Sequence, residues 1–154
     1  MPADLHPRPD ECICLAVRQA ARHVTQFYDR VLAPSGLRTT QFSVLARLNR
    51  LGPMTINALA QDLVMDRTTL GRNILPLERD GLITAAKGGR DRRSKELRLT
   101  DRGAARLRIA AKLWAQAQRQ FKAAFGAART LDLRALLHDV AASELGSRHV
   151  GDRA

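Results

Sequence analysis

The sequence predicts a mainly α-helical fold with one small β-hairpin, on three observations. Two short amphipathic helices follow each other in tandem through residues 55–80. A β-prone run, a glycine turn set among arginines and an alternating run come directly after them. Long apolar stripes at helical spacing flank this centre on both sides.

The centre is the most informative part. Thr55 is a suitable N-cap, and Ile56, Leu59, Ala60 and Leu63 follow at the spacing of one helix face. Asp66 is a second N-cap, after which Leu70, Ile74 and Leu77 form another stripe. Arg67, Thr68, Thr69, Arg72 and Asn73 fall away from that stripe. Two short helices with a tight break are the helix-turn-helix pattern. The second carries polar and cationic groups near its N-terminus, where a recognition helix meets base edges and phosphates. Pro76 removes one N–H and crowds the carbonyl of Arg72, so a bend is expected in the second half. Gly81 is a natural stop.

Leu82 to Ala85 is β-prone, Gly88-Gly89 signals a turn, and Glu96-Leu97-Arg98-Leu99 alternates as a half-buried strand does. Lys87, Arg90, Arg92, Arg93 and Lys95 lie between the two runs. A hairpin with a cationic tip behind a recognition helix is a wing. The major groove admits a helix and a narrow minor groove attracts arginine, so one such unit holds both.

The flanks supply three expected regions: residues 1–34, an N-terminal tail and dimerisation helix; 35–100, the winged helix-turn-helix; and 101–154, C-terminal dimerisation helices. Asp10 is expected to cap a helix running to about Leu32, with Ile13, Val17, Ala20, Val24, Phe27 and Val31 on one face. Thr39 begins a second helix with Phe42, Leu45 and Leu48 inward. Thr100 caps a long helix whose stripe runs through Leu107, Ala110, Trp114, Ala117, Phe121 and Ala124 until Gly126 stops it. Leu131 to Leu145 reads as a last helix. The long stripe exceeds what a small winged domain covers, so the terminal helices are the natural surface for a homodimer, which doubles the DNA site.

Composition narrows the function classes. The chain of 154 residues has 26 Lys plus Arg against 15 Asp plus Glu, a net charge of +11 that favours a polyanionic partner. Aromatics at 4% argue against single-strand binding by base stacking. No apolar run approaches a membrane span, and the N-terminal stretch MPADLHPRPDE lacks the character of a signal peptide, so a cytoplasmic location and no membrane partner are expected. His6, His23, His138 and His149 are scattered, and no nucleotide-binding, metalloprotease or CxxC motif is present. No enzyme, catalytic residue or cofactor is therefore expected.

The order helix, helix, LERDGLI, then GRDRRSKELRLTDRG resembles the winged-helix regulators of the MarR (multiple antibiotic resistance) family. Asp91-Arg92-Arg93 matches the family's wing motif, and Leu99-Thr100-Asp101-Arg102-Gly103 matches the junction into the next helix; the resemblance extends over roughly residues 10 to 145. It implies a dimer built from the first and last helices, a double-stranded pseudo-palindromic operator, and a transcriptional regulator. A repressor released by an effector, small ligand or cysteine modification, is the expectation. Arg67, Thr68, Thr69, Arg72 and Asn73 are then the groove-facing residues, Arg93 is expected to enter the minor groove with Asp91 orienting it or a neighbouring arginine, and Arg90, Arg92 and Lys95 to meet phosphates. A non-specific architectural DNA-binding protein is the alternative, separated by sequence preference.

Cys12 and Cys14 stand outside that unit. In the first turn of a helix capped by Asp10, a thiolate is favoured by the helix N-terminus and opposed by Asp10 and Glu11. Residues i and i+2 on a helix point about 200° apart, so a disulfide is expected between subunits or to a small thiol. The chain also resembles the organic-peroxide sensors among MarR-like proteins, which carry one reactive cysteine early in the first helix and a tyrosine fourteen residues later. Cys14 and Tyr28 have that spacing, while the positions of two further sensor tyrosines hold Arg18 and Thr39. Three readings of the cysteines stand: small packing residues, a redox or electrophile switch, or ligands with His6 or His23 for zinc or a soft metal. No metal site is assigned among them. For a non-covalent effector, a small apolar or aromatic acid, the resemblance implies a space between dimer helices and winged domain, with Tyr28, Phe42, His23 and Arg18 as candidate lining.

Overall fold

The computed structural model describes residues 8–87 and 95–145. Helices α1 (Ile13–Leu32), α2 (Thr39–Leu51), α3 (Ile56–Asp62), α4 (Arg67–Arg79), α5 (Asp101–Phe125) and α6 (Ala127–Ala142) alternate with strands β1 (Met54–Thr55), β2 (Ile83–Lys87) and β3 (Lys95–Leu99). The protein is mainly α, with one three-stranded antiparallel sheet in the order β1-β3-β2. Its internal contacts divide the chain within α5, into one unit up to Ala117 and another from Gln118.

In the first unit, the core is the set of stripes read from the sequence. Leu45 and Leu48 of α2, Leu59 of α3, and Leu70, Ile74 and Leu77 of α4 are buried together with Leu82, Ile83 and Leu97 of the hairpin. The expected caps are present. Thr55 Oγ1 accepts from Ala58 N at 3.1 Å, and Asp66 Oδ1 accepts from Thr69 N at 2.8 Å. Both α3 and α4 close in the same manner. Leu82 N donates to Leu77 O, six residues spanned, with Gly81 at φ 69°; Met65 N donates to Ala60 O with Val64 at φ 52°. Gly81 takes the left-handed position without cost, whereas Val64 is a β-branched residue held where glycine is favoured. Pro76 lies inside α4, and the helix continues through it to Arg79.

The hairpin pairs Ile83 with Leu99 and runs to Lys87 opposite Lys95. The first strand therefore reaches Lys87, beyond the expected end at Ala85. The tip, Gly88 to Ser94, lies outside the described residues, and with it Arg90, Asp91, Arg92 and Arg93. Thr100 fastens the sheet to α5. Its Oγ1 lies 2.7 Å from the carbonyl oxygen of Gly81, to which it donates, and accepts from Gly103 N at 3.0 Å. Thr100 N donates to Leu82 O at 3.1 Å. Gly103 is buried against that oxygen, which leaves no room for a Cβ.

Two starts differ from expectation. Asp10 lies in a 3₁₀ turn, Pro9–Glu11, and α1 begins only at Ile13. The cap is Cys12, whose Sγ accepts from Leu15 N at 3.4 Å, because the turn closes Cys12 N onto Pro9 O and leaves Cys12 extended. In the second unit, α6 starts at Ala127 rather than Leu131 and stops at Ala142 rather than Leu145. Gly126 at φ 97° ends α5, and the helix-favouring Ala127, Ala128 and Arg129 resume at once. Within this unit the Arg129 guanidinium sits 4.2 Å over the Phe125 ring, and no residue of α6 is buried. In the single chain, Ile13 and Val17 of α1 and Leu131, Leu136, Leu137 and Val140 of α6 are exposed.

Candidate nucleic-acid interface and effector cleft

The burial of Leu70, Ile74 and Leu77 fixes how α4 is turned. At about 100° per residue, the face opposite them carries Thr68, Arg72, Leu75 and Arg79. All four are exposed. Arg67 and Thr69 are exposed on the two flanks, and Asn73 is half-buried. The equal outward placement expected for Thr68, Thr69, Arg72 and Asn73 is therefore uneven. Thr68 and Arg72 point outward. Thr69 gives both its N–H and its hydroxyl to Asp66, and the amide of Asn73 donates to Thr69 O at 2.8 Å. That bond fixes the Asn73 amide plane against the helix. Leu75, absent from the expected set, is 62% exposed between Arg72 and Arg79. Its apolar character concealed it, because an exposed leucine on a recognition helix carries no sequence signal of its own.

Asp66 holds the start of this helix as a carboxylate. The Thr69 hydroxyl, then the Thr69 backbone N–H, hold its carboxyl below the usual range. Beside the helix, Lys95 opens β3, exposed and paired in register with exposed Lys87. Like charges directly opposite each other destabilise a hairpin unless an anion meets them. Arg98 on the same strand is instead paired with Glu96 at 3.1 Å.

The cysteines are placed differently from expectation. Cys12 is the N-cap and Cys14 lies in the first helical turn; both thiols are exposed. Since Cys12 is extended, the helical rotation that would separate the pair does not apply to it. Among the described residues no three His, Cys, Asp or Glu cluster as metal ligands. Tyr28 is half-buried, edge-on to Phe27 at 5.4 Å, and burial raises its phenol above the ordinary value. Thr39, at a sensor-tyrosine position, gives its N–H and hydroxyl to Asp29 Oδ1, each at 2.7 Å.

A cleft of about 700 Å³ opens between α2 and α5. Phe42 stacks on Trp114 at 6.0 Å along it, and Leu63, Arg47, Arg50 and Arg108 also line it. Phe42 lies on its wall; Tyr28, His23 and Arg18 do not. Trp114, a stripe residue of α5, is 39% exposed in the single chain. The three arginines come from two helices, so only the tertiary fold brings them together.

Residues 37–95 match the model of the MarR family. The transcriptional regulator MosR of M. tuberculosis, solved in complex with DNA, is 39% identical over 85% of this chain and 94% of that one, with a TM-score of 0.76. The uncharacterized HTH-type transcriptional regulator YwoH of Bacillus subtilis is 34% identical, the match spanning 54% of this chain and 61% of that protein. The organic hydroperoxide resistance transcriptional regulator of Bacillus subtilis is 26% identical over 64% of this chain and 67% of its own length. Among the described residues no helix is long and apolar enough to cross a membrane. With the tandem helices, the three-stranded sheet and the match along nearly all of a solved regulator, the chain belongs to the MarR family of winged helix-turn-helix transcriptional regulators.

Proposed function

We propose that the chain is a homodimer that binds a pseudo-palindromic DNA site and represses transcription until an effector releases it. The observation that carries the DNA reading is the outward face of α4: Thr68 and Arg72 exposed on a helix whose other side is locked in the core and whose start is capped by Asp66. Arg72 suits the O6 and N7 acceptors of guanine. Lys87 and Lys95 suit phosphates on the wing side. The exposed apolar positions of α1 and α6 support the dimer, since isolated chains rarely leave such stripes to water. The cleft between α2 and α5 supports an effector with an aromatic body and a carboxylate, matching the stacked Phe42–Trp114 rings and the three arginines. Exposed Cys12 and Cys14 offer the second route of release, by thiol oxidation.

The test is base substitution across a selected site, read with the parent and with Arg72→Ala. The parent should lose about 1–3 kcal/mol at the base that Arg72 reads, and the variant should lose little there. If the variant is as sensitive to that base as the parent, direct readout by Arg72 is wrong. Sedimentation should give a dimer at micromolar concentration; a monomer contradicts the assembly.

A further inference from the structure

We propose that the ion pair between Arg47 and Asp62 is the latch through which an anion in the α2–α5 cleft acts on the DNA-reading helices. The inference rests on the cleft being the effector site. Arg47 belongs to α2 and stands on the cleft wall, yet its Nε lies 2.8 Å from Oδ2 of Asp62, the last residue of α3. Among the described residues this is the one ion pair that joins two helices; the others link near neighbours in the chain. Arg50 and Arg108 also face the cleft, but Arg47 is the arginine there that holds a carboxylate of the helix-turn-helix.

The helix at the other end needs that charge. α3 has seven residues, too short to persist without help from its surroundings. It ends on an aspartate, at the negative end of the helix dipole, where a cation is favoured and an anion is not. Arg47 supplies the cation. Four residues beyond Asp62 stands Asp66, the cap that starts α4, and the turn between them contains the left-handed Val64. Leu63, in that same turn, also lines the cleft. A carboxylate that takes Arg47 leaves Asp62 uncompensated at the end of α3, while the apolar body of the same molecule meets Leu63. The turn that sets α4 relative to α3 then loosens, and the recognition helix loses its fixed aim.

The experiment uses 1-naphthoate as the probe, with DNA affinity as one readout. Trp114 is the chain's single tryptophan and lies in the cleft, so its emission reports occupancy as the other. Arg47→Gln should bind DNA about fivefold more weakly per subunit without any probe, the scale of a partly exposed ion pair. Arg47→Lys should keep the parent affinity. Asp62→Asn should behave in the opposite way to Arg47→Gln. It removes the charge that would be left uncompensated, so DNA affinity is kept, naphthoate binds about fivefold tighter because Arg47 is no longer engaged, and naphthoate no longer releases DNA. The double variant should recover the affinity lost in Arg47→Gln. A pair with a merely structural role would weaken DNA binding alike in both single variants. Parent-like DNA binding by Arg47→Gln, or full naphthoate release retained by Asp62→Asn, overturns the latch while leaving the cleft reading intact. Unchanged Trp114 emission up to millimolar naphthoate overturns the cleft reading, and the latch with it.

Discussion

Gly103→Ala separates two physical arguments by sign. Gly103 lies in the first turn of α5, where helix propensity alone favours alanine over glycine by about 1 kcal/mol. The packing predicts the reverse. A Cβ at this position would stand 2.8 Å from Leu99 Cδ1, 2.9 Å from the carbonyl carbon of Leu82, and nearer still to the Leu82 oxygen. That oxygen cannot retreat freely, because it accepts the Thr100 N–H at 3.1 Å and belongs to the link between α4 and β2. Relief requires α5 to move off the sheet and give up the Thr100 bonds. An overlap against backbone costs at least the 1–3 kcal/mol typical of overpacking, and the loss of a buried hydrogen bond adds about 1 kcal/mol. Setting this against the propensity gain leaves a net loss of about 2 kcal/mol, or roughly 4–8 °C in Tm for a chain of this length. Gly71→Ala is the control. Nothing lies within 4 Å of a Cβ there, so the same substitution in α4 should stabilise by about 0.5–1 kcal/mol. Urea and thermal unfolding of both variants give the answer. A Gly103→Ala protein as stable as the parent, or more stable, would refute the close approach of α5 to Leu82.

Val64→Gly should raise stability by about 1 kcal/mol, since the left-handed position at φ 52° is strained for a β-branched residue; an unchanged or lower Tm would place that turn elsewhere in backbone space. The Asp66 cap should give acid sensitivity of known sign. Its folded carboxyl titrates below the unfolded value, so its contribution is present above about pH 4 and is lost as pH falls through the lower folded value. Asp66→Asn should flatten that part of the stability–pH curve, and an identical curve would remove the cap from the account. For the thiol route, DNA-bound protein treated with an organic hydroperoxide should be released in Cys12→Ser but not in Cys14→Ser; release in both variants would exclude Cys14 as the switch.

Local chemistry made the centre of this fold legible. Thr55, Asp66 and Thr100 each act on an amide three residues away, so their role is written within one turn of sequence. The stripes of α3 and α4 read correctly for the same reason. The two-residue strand β1 went unseen because Met54–Thr55 is too short to alternate, and its pairing with Leu97 and Glu96 lies far along the chain. Asp10 lost the cap to Cys12 because a proline-led 3₁₀ turn intervened, a competition that propensity does not rank. Asn73 and Leu75 exchanged places between flank and front because a stripe of three buried residues defines a direction only once their depth is known. The cleft was out of reach: Arg47, Arg50, Arg108 and Trp114 become neighbours only when α2 packs beside α5.

Sequence-specific DNA recognition through α4 is tested by competition binding at about 0.15 M salt. A labelled pseudo-palindrome obtained by selection from random duplex is displaced with unlabelled copies of itself or with a scrambled duplex of the same composition. A preference of at least about a thousandfold for the selected site is expected, which Arg72→Ala reduces. Equal displacement by the two competitors would contradict it, leaving the +11 charge as the whole basis of binding.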